Sequence, residues 1–174
     1  SSRKQAWTYF EQALLIWQNM KEDAWRASTL LQMGQLALDL NNSQEARDFF
    51  SRAAMLGFNL EDSGLEATAR QGLCRIHSTF NEYGEAVKCV DKLVPYFKSM
   101  GDKSEQARLL FEKIRAQRQQ ALFAAAVTTA QEVIPICHEL ENKSWEADGY
   151  ELLGQSFLDL KDKGRAAGAF TQAM

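Results

Sequence analysis

Alanine recurs in this chain at intervals of 40 residues, in two separate series. The first series consists of Ala27, Ala67, Ala107 and Ala147, and the second of Ala46, Ala86, Ala126 and Ala166. Larger apolar residues are also separated by multiples of 40 positions, at Phe10, Phe50, Val90 and Phe170. A fixed period of this length indicates a repeat architecture, in which each unit buries its apolar surface by packing on its neighbours.

Each period is predicted to contain two α-helices, which we call helix A and helix B. Helix-forming residues dominate, and the chain has only two prolines. Apolar residues at i, i+3 and i+4 spacing give each helix one apolar stripe, as at Leu30, Met33, Ala37 and Leu40. A single hairpin cannot bury both sides of such helices, whereas stacked hairpins can. The predicted fold class is therefore all-α, a solenoid of antiparallel helix pairs.

The 174 residues are predicted to form a single array of repeats. Residues 1–22 align with helix B of a partial repeat, residues 23–62, 63–102 and 103–142 form full repeats, and residues 143–174 form the last repeat, which stops inside a helix B. Repeat arrays normally carry polar capping elements. We therefore expect either a fragment of a larger protein or end-to-end association with another copy of the chain.

The small-large pattern of the repeat resembles the tetratricopeptide repeat (TPR) family. The residues that carry the resemblance are Leu30, Met33, Gly34, Ala37, Ala46, Phe50 and Ala53, and again Tyr150, Leu153, Gly154, Phe157, Ala166, Phe170 and Ala173. The 40-residue period is longer than the family's usual 34 and is similar to that of Pins/LGN-type scaffolds. The resemblance implies a right-handed superhelical solenoid and a general peptide-binding role.

Turn signals between the predicted helices vary in strength. Ser63 to Glu66 is typical of a capping box, and Asp102 to Glu105 is similar to one. Gly101 is expected to end a helix. The segment from Gln120 to Leu122 contains no turn-forming residue, so the period alone predicts a turn there.

The sequence contains none of the common catalytic or cofactor motifs: no Gly-x-Gly-x-x-Gly, phosphate-binding loop, His-Glu-x-x-His or Gly-x-Ser-x-Gly. Its cysteines and histidines lack zinc-site spacing. We therefore expect no enzymatic activity, cofactor or metal. No run approaches the roughly 18 apolar residues of a membrane span, and no signal-peptide pattern opens the chain. A cytoplasmic location is expected.

The resemblance to the TPR family implies that helix A lines a concave groove that binds a partner peptide. The candidate partner-binding residues at the family's groove positions are Gln35, Gln71, Arg75, Arg108, Phe111, Arg115, Arg118 and Gln119. Arg108, Arg115 and Arg118 share one helix face, and Arg75 is in phase with Arg115, so stacking would bring these two together. We predict an acidic peptide partner, gripped by guanidinium groups, with Phe111 as an apolar contact.

Three alternatives remain open from the sequence. A nucleic-acid-binding helical repeat is suggested by the arginines at positions 70, 75, 108, 115 and 118, although a net charge of −3 and the lack of an aromatic stacking ladder weigh against it. A self-assembling structural segment is the second. The third is a solvated face whose arginines pair with Glu112 or with acids of adjacent repeats. If the arginines instead serve a partner, reversing Arg115 and Arg118 to glutamate should abolish binding with little effect on the melting temperature.

Overall fold

In the computed structural model, which describes residues 2–174, short turns join a succession of α-helices. Those described are α1 (Ser2–Met20), α2 (Asp23–Asp39), α3 (Ser43–Asn59), α4 (Ser63–Thr79), α5 (Tyr83–Ser99), α6 (Lys103–Gln119), α7 (Phe123–Glu139), α8 (Lys143–Asp159) and α9 (Lys163–Gln172). No strand occurs among residues 2–174, so the all-α prediction is confirmed. None of the helices in this range is long and apolar enough to cross a lipid bilayer.

A residue with positive φ lies in every turn between these helices. These residues are 20 positions apart, which is half the sequence period: Lys21, Asn41, Glu61, Asn81, Gly101, Ala121, Glu141 and Lys161. A residue with a side chain in this left-handed conformation costs about 1–2 kcal/mol, and Gly101 alone among the eight avoids that cost. Ala121, with φ of 57°, confirms the turn that the period alone had predicted.

Backbone hydrogen bonds explain why the left-handed residue recurs. After α2, the Asn41 N–H donates to the Leu38 carbonyl and the Asn42 N–H to the Ala37 carbonyl, both at 2.9 Å. This pair of bonds is the Schellman motif. Asn42 is also the N-cap of α3, because its side-chain oxygen accepts from the Glu45 N–H at 3.3 Å. One residue therefore closes one helix and opens the next, which fixes the length of the turn.

The remaining caps correct one sequence prediction and confirm another. The expected capping box at Ser63 is wrong, because Ser63 is the first residue of α4 and Asp62 is the N-cap, accepting from the Leu65 N–H at 2.9 Å. The Asp62 N–H also donates to the Gly57 carbonyl at 2.9 Å. That bond fixes the N-cap position next to the end of α3, at residue 62 and not at Ser63. At Asp102 the predicted cap is confirmed, by acceptance from the Glu105 N–H at 3.0 Å.

The chain divides into two compact units, unit 1 (Ser1–Asn81) and unit 2 (Glu82–Met174). In unit 1, α1 packs on α2, α2 on α3 and α3 on α4, and α2 also contacts α4. The buried ring of Phe50 on α3 lies against two glycines. A Cβ at Gly34 of α2 would lie 2.9 Å from this ring, and a Cβ at Gly72 of α4 would lie closer still. The ring fills the space that the two absent side chains leave.

Unit 2 repeats this packing, with α5 through α9 each in contact with the next and α6 also in contact with α8. Here the ring of Phe170 lies over Gly154, where a Cβ would be 2.7 Å from it. Two larger residues of α6, Ile114 and Gln117, stand at the repeat positions of Gly34 and Ala37 and are accommodated. Ile114 is fully buried in the core, and the side-chain oxygen of the buried Gln117 accepts from the Thr129 hydroxyl at 2.9 Å.

Two opposite substitutions test the turn geometry. Gly101→Ala should lower the free energy of unfolding by about 1 kcal/mol, because it introduces a Cβ at φ of 72° where no neighbouring atom lies within 4 Å. Ala121→Gly should raise it by roughly 0.5 kcal/mol, because relief of the left-handed strain exceeds the added entropy of the unfolded chain. Urea denaturation measures both values. Equal signs for the two changes would contradict the turn assignment.

Candidate functional site

The predicted groove residues of unit 1 lie on α2 and α4. We call the surface formed by Gln35 and Asp39 of α2 with Gln71 and Arg75 of α4 the α2–α4 face. Hydrogen bonds connect three of these side chains across the two helices. The Arg75 guanidinium donates through Nη1 to Oε1 of Gln35 at 2.7 Å, and Nε2 of Gln35 donates to Oδ1 of Asp39 at 2.7 Å. Gln71, one turn before Arg75, is half-buried. Gln35 thus links an arginine on the neighbouring helix to a carboxylate on its own helix.

In unit 2 the corresponding surface is the α6–α8 face, formed by Arg108, Arg115, Arg118 and Gln119 of α6 with Asp148, Glu151, Gln155 and Asp159 of α8. Arg118 bridges the two helices. Its Nε and Nη2 contact Oδ2 of Asp159 at 3.0 and 2.9 Å, and its Nη1 donates to Oε1 of Gln155 at 2.6 Å. Both side chains of the ion pair are less than one-third exposed. Arg118 therefore holds α6 and α8 together as well as carrying charge.

Arg108 is also paired within the protein. Its guanidinium donates to Glu105 at 2.7 and 3.0 Å and to Glu112 at 3.1 Å, on the same helix. Burial disfavours the charged form, but the hydrogen bond and charge of Glu105, together with the charge of Glu112, raise the pKa of Arg108 above its ordinary value. Two carboxylates thus offset the charge of Arg108.

Arg115 differs from the other arginines of α6. Its side chain is exposed, and it makes no hydrogen bond or ion pair with any residue in the part of the chain that the structure describes. Gln119, one turn further along α6, is exposed as well. Arg75 and Arg115 belong to different units, so their expected juxtaposition stays a prediction. On the α6–α8 face, Arg115 is the arginine whose charge the described residues leave uncompensated.

Phe111 is not an open apolar contact. It is 6% exposed and belongs to the core of unit 2, where its ring meets Trp145 edge-on with centroids 6.2 Å apart. The expected exposure of this ring to a ligand is therefore wrong. The reason is that position 111 lies at the edge of the buried stripe of α6, and a large apolar side chain at such an edge gains by turning inward.

The alternative of internally paired arginines is realised at two positions, by Glu112 with Arg108 and by Asp159 with Arg118. Sequence reasoning missed the bridge that Arg118 forms with Gln155 and Asp159. One signal was available: Gln35 and Gln155 occupy the same phase of the repeat, and each has an acid four residues away to which it donates, Asp39 and Glu151. No cluster of metal-ligating side chains occurs within residues 2–174.

The bridge predicts different stability effects for two neighbouring arginines. Arg118→Ala should lower the free energy of unfolding by about 1 kcal/mol, because it removes an ion pair and a hydrogen bond that join two helices. Arg115→Ala should change it by less than about 0.5 kcal/mol, as is usual for an exposed side chain without a partner. Arg118→Glu would place a second carboxylate beside Asp159. The expectation that reversing both Arg115 and Arg118 leaves the melting temperature nearly unchanged is therefore wrong. Chemical denaturation of the two single variants checks the difference, and equal effects would contradict the bridge.

Comparison with known proteins gives a match in structure and none in sequence. No protein-family model matches the chain, and no curated protein matches it. The solved structures that resemble it include BtubC (BKLC) from P. vanneervenii, with a TM-score of 0.87 and 14% identity over 99% of this chain and 72% of that one.

Two further similar structures contain tetratricopeptide or TPR-like repeats. A STAND protein with a tetratricopeptide repeat sensor from Pyrococcus horikoshii has a TM-score of 0.83 and 16% identity, over 99% of this chain and 27% of that one. A putative kinesin light chain from Podospora anserina, with nearly identical TPR-like repeats, has a TM-score of 0.82 and 14% identity, over 98% of this chain and 85% of that one. Such identities establish the fold alone. The chain has the fold of a TPR-like helical repeat solenoid.

Proposed function

We propose that this chain is a non-catalytic scaffold module of the cytoplasm that binds a segment of a partner protein on the α6–α8 face. The observation that carries the proposal is the state of Arg115. It is exposed and lacks a partner among the described residues, whereas Arg108 and Arg118 beside it are paired. A guanidinium in this state is ready to form charge-assisted hydrogen bonds with an incoming carboxylate.

The charges around Arg115 define the partner more closely. Asp148 and Glu151 on the adjacent α8 are exposed, so a uniformly acidic segment would be repelled from that side of the face. The partner that fits has a carboxylate opposite Arg115 and neutral or basic side chains over α8. Gln119, one turn from Arg115, would supply a neutral hydrogen-bonding group.

The structure offers little support for binding to nucleic acid. Two of the arginines that suggested it, both on the α6–α8 face, are paired with carboxylates, namely Arg108 with Glu105 and Glu112, and Arg118 with Asp159. Phosphate binding draws its affinity from uncompensated positive charge. Since these arginines are compensated and the net charge is −3, a protein partner fits the surface better than a phosphate backbone.

Arg115→Glu tests the proposal with a matched control. Lys92→Glu makes the same change of charge in the same unit, at an exposed side chain of α5, a helix that contributes no residue to the α6–α8 face. The probes are fluorescent short peptides that carry one glutamate among neutral and basic residues, and the same peptides with glutamine in its place. Fluorescence anisotropy should show affinity for the glutamate peptides that falls at least about tenfold in Arg115→Glu and stays within about twofold in Lys92→Glu.

The glutamine peptides separate charge recognition from binding of another kind. Wild-type protein should bind them more weakly than the glutamate peptides by a similar factor. If Arg115→Glu binds the glutamate peptides as tightly as the wild type does, then the α6–α8 face is not the binding surface.

A further inference from the structure

A groove between α3 and α4 breaks the polarity pattern of the repeat. It has a volume of about 540 Å³, its walls include Met55 and Phe58 of α3 and Leu73 of α4, and Arg70 is the one charged residue lining it. All of these residues belong to unit 1. Leu73 is two positions from both Gln71 and Arg75, about 200° around α4. The groove is thus separate from the α2–α4 face.

The other repeats of the chain serve as internal references for this groove. At the phase of Phe58 they have Gln18, Lys98 and His138, which are exposed polar residues. Phe58 is 70% exposed, and Met55 beside it is 66% exposed. An aromatic ring left in water adds little to the stability of the fold, and exposed apolar surface of this kind marks an interaction site.

The substitution at position 70 runs in the opposite direction. Leu30 and Leu110 occupy this phase in other repeats, and both are buried in the core. Arg70 instead places a guanidinium in the groove, with 47% of its side chain exposed. Its Nη2 and Nε contact Oε1 of Glu66 at 2.6 and 2.8 Å, which orients the group. Within one groove, Phe58 is apolar where other repeats have a polar residue, and Arg70 is charged where other repeats have leucine.

We infer that this groove docks a partner segment that presents an apolar side chain next to a carboxylate. The apolar side chain would pack between Phe58, Met55 and Leu73, where burial replaces their contact with water. The carboxylate would share the Arg70 guanidinium with Glu66, because Arg70 is the charged residue of the lining and Glu66 is not part of it. This inference does not depend on the function proposed for the α6–α8 face.

Methionine methyl groups provide a direct readout at the groove. Selective 13C labelling of the methionine methyl groups places one probe in the lining, at Met55, with the buried Met33 and the exposed Met100 as internal references. The ligands are short peptides with a tryptophan, phenylalanine or leucine flanked by glutamate, and matched peptides with glutamine. The Met55 signal should shift with the glutamate peptides while those of Met33 and Met100 stay in place.

Two variants assign the binding energy to the groove. Arg70→Gln should weaken binding of the glutamate peptides by about tenfold or more and leave the glutamine peptides unchanged. Phe58→Gln, which restores the residue type found at position 18, should weaken both. Arg52→Gln, which changes an arginine of α3 that is absent from the groove lining, is the control and should weaken neither.

Three results would overturn the inference. The first is a Met55 signal that does not move with any of these peptides at millimolar concentration. The second is equal binding of glutamate and glutamine peptides by the wild type. The third is a shift of Met55 with protein concentration alone, which would show that a second copy of the chain occupies the groove.

Discussion

The close approach of α2, α3 and α4 depends on one aromatic ring that lies between two glycines. Phe50 occupies the space that Gly34 and Gly72 leave open, and Phe170 uses Gly154 in the same way in unit 2. A side chain at either glycine would force the ring or the helices to move, because protein cores are packed at nearly crystalline density. This contact brings α2 and α4 together, which puts Arg75 of one helix within hydrogen-bonding distance of Gln35 on the other.

Close helix spacing has a consequence for the surface as well as for the core. An arginine on one helix can reach hydrogen-bond acceptors on an adjacent helix, as Arg118 of α6 does with Asp159 and Gln155 of α8. Exposed ion pairs add little to stability, but this one is shielded and joins two helices. Much of the positive charge that the sequence suggests for this surface is therefore paired with carboxylates of the protein itself. Surface charge available to a partner is set by the few residues that this pairing leaves over, such as Arg115.

The period allowed the helices to be predicted from sequence, and the turn chemistry explains why. The Schellman bonds need a left-handed residue at each turn, and they form even at Ala121, where no turn-forming residue is present and Leu122 supplies no side-chain cap. Asp62 shows the limit of the method, since either it or Ser63 could have capped α4 by residue type. The bond from the Leu65 N–H to the Asp62 side chain and the bond from the Asp62 N–H to the Gly57 carbonyl distinguish the two.

The candidate site was less predictable, for a different physical reason. Helical phase fixes which way a Cα–Cβ bond points, but not where a long side chain ends. Phe111 starts at a groove position and ends in the core, and Arg108 lies beside acids of its own helix. The groove with Phe58 and Arg70 carried a readable signal, because both residues reverse the polarity found at the same phase elsewhere in the chain. Comparing the repeats by the polarity of each position, in addition to its size, would have identified this groove from the sequence.

The packing of Phe50 on glycine is tested most directly by Gly72→Ala in a double-mutant cycle with Phe50→Leu. Within a helix, glycine to alanine normally stabilises by about 1 kcal/mol, and Gly168→Ala, in α9 with no atom within 4 Å of the new Cβ, should show that gain. Gly72→Ala should instead lower the free energy of unfolding by about 1–3 kcal/mol, and by much less once Phe50 is leucine. A stabilising Gly72→Ala, or a cost that Phe50→Leu leaves unchanged, would contradict the account.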